Sequence, residues 1–127
     1  MSANRVLQLH SLIYGVFAVL LALIPAWLWP QYGLMIDDKY SVFLSQHNSI
    51  FLAGIAIIGW QFSRFEPGSS AVLTLLRSLI WTNLIGAAVT LYACLTGLFS
   101  GFGWSDPLFF IGVVLWLSWA LKRAERG

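Results

Sequence analysis

Charged residues are scarce in this sequence. Only 9% of its 127 residues are Asp, Glu, Lys or Arg, whereas 59% are hydrophobic. A soluble domain of this size carries about a quarter charged residues, because a small globule exposes so much of its surface to water. The excess apolar surface must therefore face lipid. The net charge of +2 is too small for a nucleic-acid-binding surface, so we expect no nucleic-acid partner.

Cysteine is nearly absent as well. Cys94 is the single cysteine, which excludes an intrachain disulfide and a cysteine-based metal cluster. The sequence also lacks a nucleophile–base pair, a phosphate-binding loop, metal-ligand spacing and a carboxylate pair. We therefore expect no enzyme activity, no catalytic residue, no metal site and no tightly bound cofactor.

Long apolar stretches are abundant, and four of them are long enough to cross a bilayer, which takes about 20 helical residues. Pro25 predicts a bend or the end of the first helix. Asp37 or Asp38 is predicted to cap the second helix. Asp106 before Pro107 is predicted to cap the fourth span, which is the shortest. The predicted fold is an all-α integral membrane bundle of four transmembrane helices in one domain, with spans at about 6–29, 40–62, 70–99 and 107–121. A signal peptide is the rival interpretation of the first stretch, but that stretch is too long and no cleavage site follows it.

Basic residues flank these spans asymmetrically. Four spans place five of them on one side of the membrane and only Lys39 on the other. Basic loops stay in the cytoplasm, so both termini are predicted to be cytoplasmic. Rings near the helix ends predict aromatic belts, the outer one including Trp29 and Tyr32. The five basic residues are Arg5, Arg64, Lys122, Arg123 and Arg126.

Small residues recur every fourth position along the third span. Such a stripe lets another helix approach closely, and close packing drives helix association in lipid. We interpret it as a helix-packing seam, with a polar permeation path as the alternative. Its members are Thr74, Ser78, Thr82, Gly86, Thr90 and Cys94.

Arg77 is the most informative ionisable residue, about 10 Å along the third helix from its start. It either snorkels to lipid phosphates or faces the bundle and binds an anionic group. No acidic residue lies within any span, so its partner would be Glu66, a lipid, a ligand or another chain.

Two histidines and two amides complete the candidate binding residues. His10 and His47 lie near opposite membrane faces, which excludes haem ligation between them. A hydrogen-bonded interfacial role is expected for each, with ligation of a pigment or haem by a single histidine as the alternative. Gln46 and His47 lie at a depth similar to that of Asn83. We expect these three to form a hydrogen-bonded cluster between the second and third helices, as interhelical contacts or as a binding site.

The characteristic residues of three membrane-protein families of similar size are absent from this sequence. Small multidrug transporters need a glutamate in the first span, fluoride channels carry a glycine-rich opening and a phenylalanine box, and glutathione-handling four-helix enzymes use an arginine- and glutamate-rich site. The stretch Pro25-Ala26-Trp27-Leu28-Trp29-Pro30-Gln31-Tyr32-Gly33-Leu34-Met35-Ile36-Asp37-Asp38 resembles small uncharacterised bacterial inner-membrane proteins of four helices. The resemblance implies the fold and a multi-pass location in the bacterial inner membrane, but no activity.

We therefore expect a non-catalytic accessory subunit of a larger membrane complex, partnered by the lipid bilayer and by other membrane subunits or copies of itself. One alternative is a small oligomeric channel or carrier. The other is a membrane protein that binds a lipid, a quinone or a pigment.

Overall fold

The computed structural model describes the whole chain, Met1–Gly127, as helices joined by turns, with no strand. Four of the helices are long and apolar enough to cross a membrane, which confirms that part of the prediction. We number all five α-helices in chain order: α1 Ala3–Leu23, α2 Pro25–Leu28, α3 Lys39–Phe62, α4 Ser70–Leu95 and α5 Ser105–Arg126.

Side-chain caps begin three of the four long helices. The Ser2 hydroxyl accepts a hydrogen bond from the Arg5 amide at 3.2 Å, and Ser69 does the same for Val72 at 3.3 Å. Asp38 accepts from the amide of Ser41 at 2.8 Å. Each cap satisfies an amide that has no partner within its own helix.

The fourth long helix begins differently from the prediction. A 3₁₀ turn, Gly101–Trp104, runs directly into α5, so Asp106 lies inside the first helical turn and makes no side-chain cap. The helix then continues to Arg126, five residues beyond its predicted end at Leu121. At 22 residues it is longer than α1, which has 21 and is the shortest of the four.

Helix α1 ends just before Pro25, which confirms the predicted bend or end there, and α4 ends before the predicted limit of its span at Phe99. Proline has no amide hydrogen to donate, and α1 ends at Leu23, before Ile24 and Pro25. Beyond this break the chain continues as the short helix α2 and a 3₁₀ turn, Trp29–Tyr32. Likewise α4 ends at Leu95, because Gly97 adopts a left-handed backbone with φ of 81°.

The long helices pack as two hairpins. Helix α1 lies along α3 and α4 lies along α5, whereas contacts between α3 and α4 are sparse. We call these pairs hairpin A (α1 and α3) and hairpin B (α4 and α5). The side chain of Asn4 donates to the Phe65 carbonyl at 2.7 Å. This bond joins the N-terminus to the α3–α4 loop, so we call that end the termini end and the opposite one the distal end.

At the distal end the two hairpins are joined by their turns. The Ser100 amide donates to the Tyr32 carbonyl at 3.0 Å. Gly103 fits beneath this contact, because a Cβ on it would lie 2.8 Å from the Tyr32 oxygen and 2.8 Å from Cβ of Phe99. The distal turns therefore depend on a residue without a side chain.

Buried hydrophobic side chains form two separate cores. The larger lies toward the termini end and joins α1, α4 and α5; the smaller lies at the distal end around the 3₁₀ turns. Large apolar residues cover the outside, among them Leu23, Trp81 and Leu108, as expected for a surface that faces lipid. The larger core contains Ala3, Val6, Leu7, Val72, Leu76, Leu79, Val113, Leu117 and Ala120, and the smaller contains Leu21, Leu28, Tyr32, Cys94 and Phe99.

Candidate functional site

A cavity of about 680 Å³ lies between hairpin A and hairpin B. All four long helices and both distal turns contribute to its walls. Its size falls within the range of about 300–1,000 Å³ typical of small-molecule sites. Eight aromatic residues line it: Tyr14, Phe17, Trp29, Tyr32, Phe51, Phe99, Phe109 and Phe110.

The cavity wall includes Tyr14, one member of a buried cluster of hydrogen-bonded polar side chains. The Tyr14 hydroxyl donates to Oδ1 of Asn83 at 2.7 Å, and Nδ2 of Asn83 donates to the Leu79 carbonyl at 2.8 Å. The second hydrogen of that amide points to Nε2 of His10 at 3.1 Å. A carbonyl can only accept, so the Leu79 contact fixes the orientation of the amide.

That orientation also determines the state of His10. Its Nε2 accepts from Asn83, so in the neutral ring the proton is on Nδ1. The ring is 1% exposed and stacks on Tyr14 with 4.5 Å between centroids. Its Nδ1 has no hydrogen-bond partner. The cluster of His10, Tyr14 and Asn83 therefore links α1 to α4 and spans the two hairpins.

The remaining polar groups of the cavity divide into satisfied and free ones. The hydroxyl of Thr82 donates to the Ser78 carbonyl and that of Thr90 to the Gly86 carbonyl, so both hydroxyls are hydrogen-bonded within their own helix. The amide of Asn48 and the carboxylate of Asp106 make no hydrogen bond or ion pair within the chain. These two side chains are free to contact a bound molecule.

Tyr32 lies at the distal end of the same cavity, between aromatic neighbours. Its ring centroid is 5.7 Å from that of Trp29 and 5.7 Å from that of Phe99. Burial raises the pKa of Tyr32 to about 12, and the negative charge of Asp106 acts in the same direction. The phenol therefore stays neutral at physiological pH.

The predicted cluster of Gln46, His47 and Asn83 does not form. Asn83 bonds to His10 and Tyr14, while the Gln46 amide donates to the Ala22 carbonyl of α1 at 3.1 Å. His47 is exposed and packs beside Phe43 and Phe51 of its own helix. Side chains at the same depth in the membrane make contact only if their helices are also rotated to face each other.

Arg77 also has a partner other than those expected. Its guanidinium donates to Glu125 of α5 at 2.6 Å, and both side chains are about half exposed. Because α5 extends beyond its predicted end, Glu125 reaches the depth of Arg77. Arg77 therefore lies on the surface of hairpin B and does not contribute to the cavity.

The small-residue stripe of α4 is only in part a packing seam. Thr74 and Ser78 are exposed, and Thr82, Gly86 and Thr90 line the cavity. A Cβ on Gly86 would lie 2.7–2.9 Å from ring atoms of Phe110, so α5 approaches closely there, and Cys94 is buried. The stripe mainly leaves the space that the cavity occupies.

Three residues of this region were not among the sequence candidates: Tyr14, Asn48 and Asp106. Tyr14 resembled any apolar-span aromatic, and only its partner Asn83 reveals its role. Asn48 directly follows His47, and no feature of the sequence assigned it a role. Asp106 was interpreted as a helix cap, although a carboxylate beside a long apolar stretch was itself a usable signal.

Comparisons with protein-family models, with curated proteins and with solved structures found no match to this chain. Function is therefore argued from the geometry of the cavity.

Proposed function

We propose that this protein binds a lipid-soluble small molecule in the cavity between hairpin A and hairpin B. The observation that carries the proposal is the cavity itself, which combines eight aromatic side chains with the unpaired polar groups of Asn48 and Asp106. Sites for small molecules are typically apolar with a few polar groups that orient the ligand. This favours the ligand-binding alternative over the accessory-subunit interpretation, which stays a prediction.

The route into the cavity supports a ligand that arrives from the membrane. Contacts between α3 and α4 are sparse, and Phe51 of α3 and Ile85 of α4 are exposed residues that line the cavity. A molecule dissolved in lipid can therefore enter sideways between the hairpins. A lipid, a quinone and a pigment all meet this requirement.

We also propose that both termini are cytoplasmic. Arg5, Arg64 and the basic residues at the end of α5 all lie at the termini end, whereas Lys39 alone lies at the distal end. The positive-inside rule then orients the termini end toward the cytoplasm. In this arrangement the cavity lies in the outer half of the membrane, and a bacterial inner membrane is the proposed location.

Binding can be tested on the purified protein with a matched pair of variants. Thr90→Phe places a ring in the cavity, whereas Thr74→Phe makes the same change on an exposed part of the same helix. Triphenylphosphine oxide serves as a neutral lipid-soluble probe, and native mass spectrometry after release from detergent measures the bound fraction.

We expect the wild-type protein and Thr74→Phe to retain one probe molecule and Thr90→Phe to lose it. Equal retention by the two variants would place the probe outside the cavity and contradict the proposal. The same spectra show whether other polypeptides co-purify in fixed stoichiometry, which is the observation that would support the accessory-subunit prediction.

A further inference from the structure

The cavity has an unbalanced charge. Asp106 is the only acidic residue in its lining, and no lysine, arginine or histidine lines it. The carboxylate is partly buried and forms no ion pair, since the single salt bridge of the chain joins Arg77 to Glu125. An ionised carboxylate in apolar surroundings is unfavourable unless a cation or hydrogen-bond donors accompany it.

The first turn of α5 supplies only part of that compensation. Asp106 lies in this turn, where the helix dipole favours a negative charge only modestly. No side chain donates a hydrogen bond to the carboxylate. The Tyr32 hydroxyl and the Asn48 amide line the same cavity but do not bond to it. Asp106 therefore remains available as a counter-ion.

The walls around this carboxylate suit one class of counterpart. Aromatic faces carry negative electrostatic potential and attract organic cations, and the attraction grows as water is excluded. Trp29, Tyr32 and Phe99 form a mutually packed aromatic group in the same lining. The neutral phenol of Tyr32 adds no charge of its own at physiological pH.

We infer that the cavity selects lipid-soluble organic cations, with Asp106 as their counter-ion and the surrounding aromatic rings as their walls. This inference rests on the proposed function and specifies its ligand class. Inorganic cations fit less well, because Ca²⁺ and Mg²⁺ need six or more oxygen ligands, whereas the chain has no group of three or more potential metal-binding side chains.

Two probes of nearly the same size and shape but opposite charge test the inference. Tetraphenylphosphonium is a cation and tetraphenylborate an anion, and triphenylphosphine oxide is the neutral reference. Affinities are measured for each probe in detergent by native mass spectrometry. Binding to Thr90→Phe is subtracted as binding outside the cavity.

The variant Asp106→Asn removes the charge and keeps the shape of the side chain. Asp37→Asn is its control, because it makes the same change in net charge at the same end of the molecule, on an exposed residue outside the cavity. We expect wild-type protein and Asp37→Asn to bind tetraphenylphosphonium more tightly than tetraphenylborate, on the order of tenfold or more.

Asp106→Asn is expected to lower tetraphenylphosphonium affinity on the order of tenfold while leaving triphenylphosphine oxide binding unchanged. Equal binding of the three probes in the cavity would contradict the charge selection. Unchanged binding of the cation by Asp106→Asn would contradict it as well. In both cases the proposed function stands. If no probe shows binding sensitive to Thr90→Phe, both are wrong.

Discussion

Tyr14 donates a hydrogen bond to Asn83 at 2.7 Å, and this bond joins hairpin A to hairpin B. Both side chains are buried, with Asn83 fully so. In lipid there is no water to replace a lost partner, so a polar pair of this kind both connects helices and fixes their rotation. The cavity begins beside this pair, because Tyr14 is part of its lining.

Removing the Tyr14 hydroxyl should therefore weaken the bundle. Tyr14→Phe leaves Oδ1 of Asn83 without its donor, and we expect a loss of about 1 kcal/mol in the free energy of unfolding. Reversible unfolding in mixed micelles measures it. Tyr92→Phe is the control, because Tyr92 is 64% exposed and donates no hydrogen bond from its side chain. Equal stability of the two variants would show that the pair does not hold the hairpins together.

Gly103→Ala should separate the distal turns. The added Cβ would lie 2.8 Å from the backbone oxygen of Tyr32, and backbone cannot move aside as a flexible side chain can. We expect a destabilisation of about 1–3 kcal/mol, as for other overpacked sites, seen as a lower melting temperature in detergent. Gly112→Ala, where the new Cβ meets no neighbouring group within 4 Å beyond its own helix backbone, should melt at or above the wild-type temperature. A Gly103→Ala protein that also does so would refute the close contact between the turns.

The start of α3 should respond to acid, whereas the start of α4 should not. The hydroxyl of Ser41, together with the amides of Ser41 and Tyr40, lowers the pKa of Asp38. A lowered pKa in the folded state means that the ionised cap contributes stability above the usual Asp pKa, and that this stability is lost as pH falls through the lowered value. Ser69 caps α4 through a hydroxyl, which does not titrate.

Amide hydrogen exchange can follow both caps in one sample. We expect the protection factor of the Ser41 amide to fall as the sample is acidified, while that of the Val72 amide stays constant. Protection factors remove the intrinsic pH dependence of exchange, so the comparison reports the caps themselves. Parallel changes at both amides would mean that the whole bundle loosens and that Asp38 has no separate role.

The predictions made from the sequence were correct for the long helices, where exposure to lipid determines the apolar composition. Long apolar runs such as Tyr40–Phe62 correspond to one helix because nothing within them interrupts the backbone. The break at Pro25 was also predictable, since proline cannot donate to the preceding turn. The extension of α5 to Arg126 was not, because its last turn is charged and was interpreted as a loop that flanks the membrane.

The polar contacts were less predictable because they depend on how each helix is rotated about its axis. Apolar residues of α3 and α4 occupy every face of these helices. The sequence therefore does not distinguish the lipid-facing side from the buried one. Asn83 was predicted to bond to Gln46 and His47, but its partners are His10 and Tyr14 of α1. Trp29 and Tyr32, expected in the outer aromatic belt, line the cavity at its distal end, and this role was not predicted.

Arg77 provides a prediction of no effect on binding. Its ion pair with Glu125 is about half exposed, and exposed pairs contribute about 0–1 kcal/mol. Arg77→Gln should therefore change the free energy of unfolding by less than about 1 kcal/mol and leave probe binding unchanged, measured as for the cavity variants. Loss of binding in a stably folded Arg77→Gln protein would restore Arg77 as a binding residue.

The most direct test of the cavity as a binding site is to locate a bound probe. A tetraphenylphosphonium analogue with one bromine on a ring can be placed in crystals of the protein by its anomalous scattering. The account predicts a bromine peak between the hairpins, within the ring of aromatic residues beside Asp106. A peak only on the outer surface, such as the groove of Ser11, Gly15 and Ala56 between α1 and α3, would contradict it.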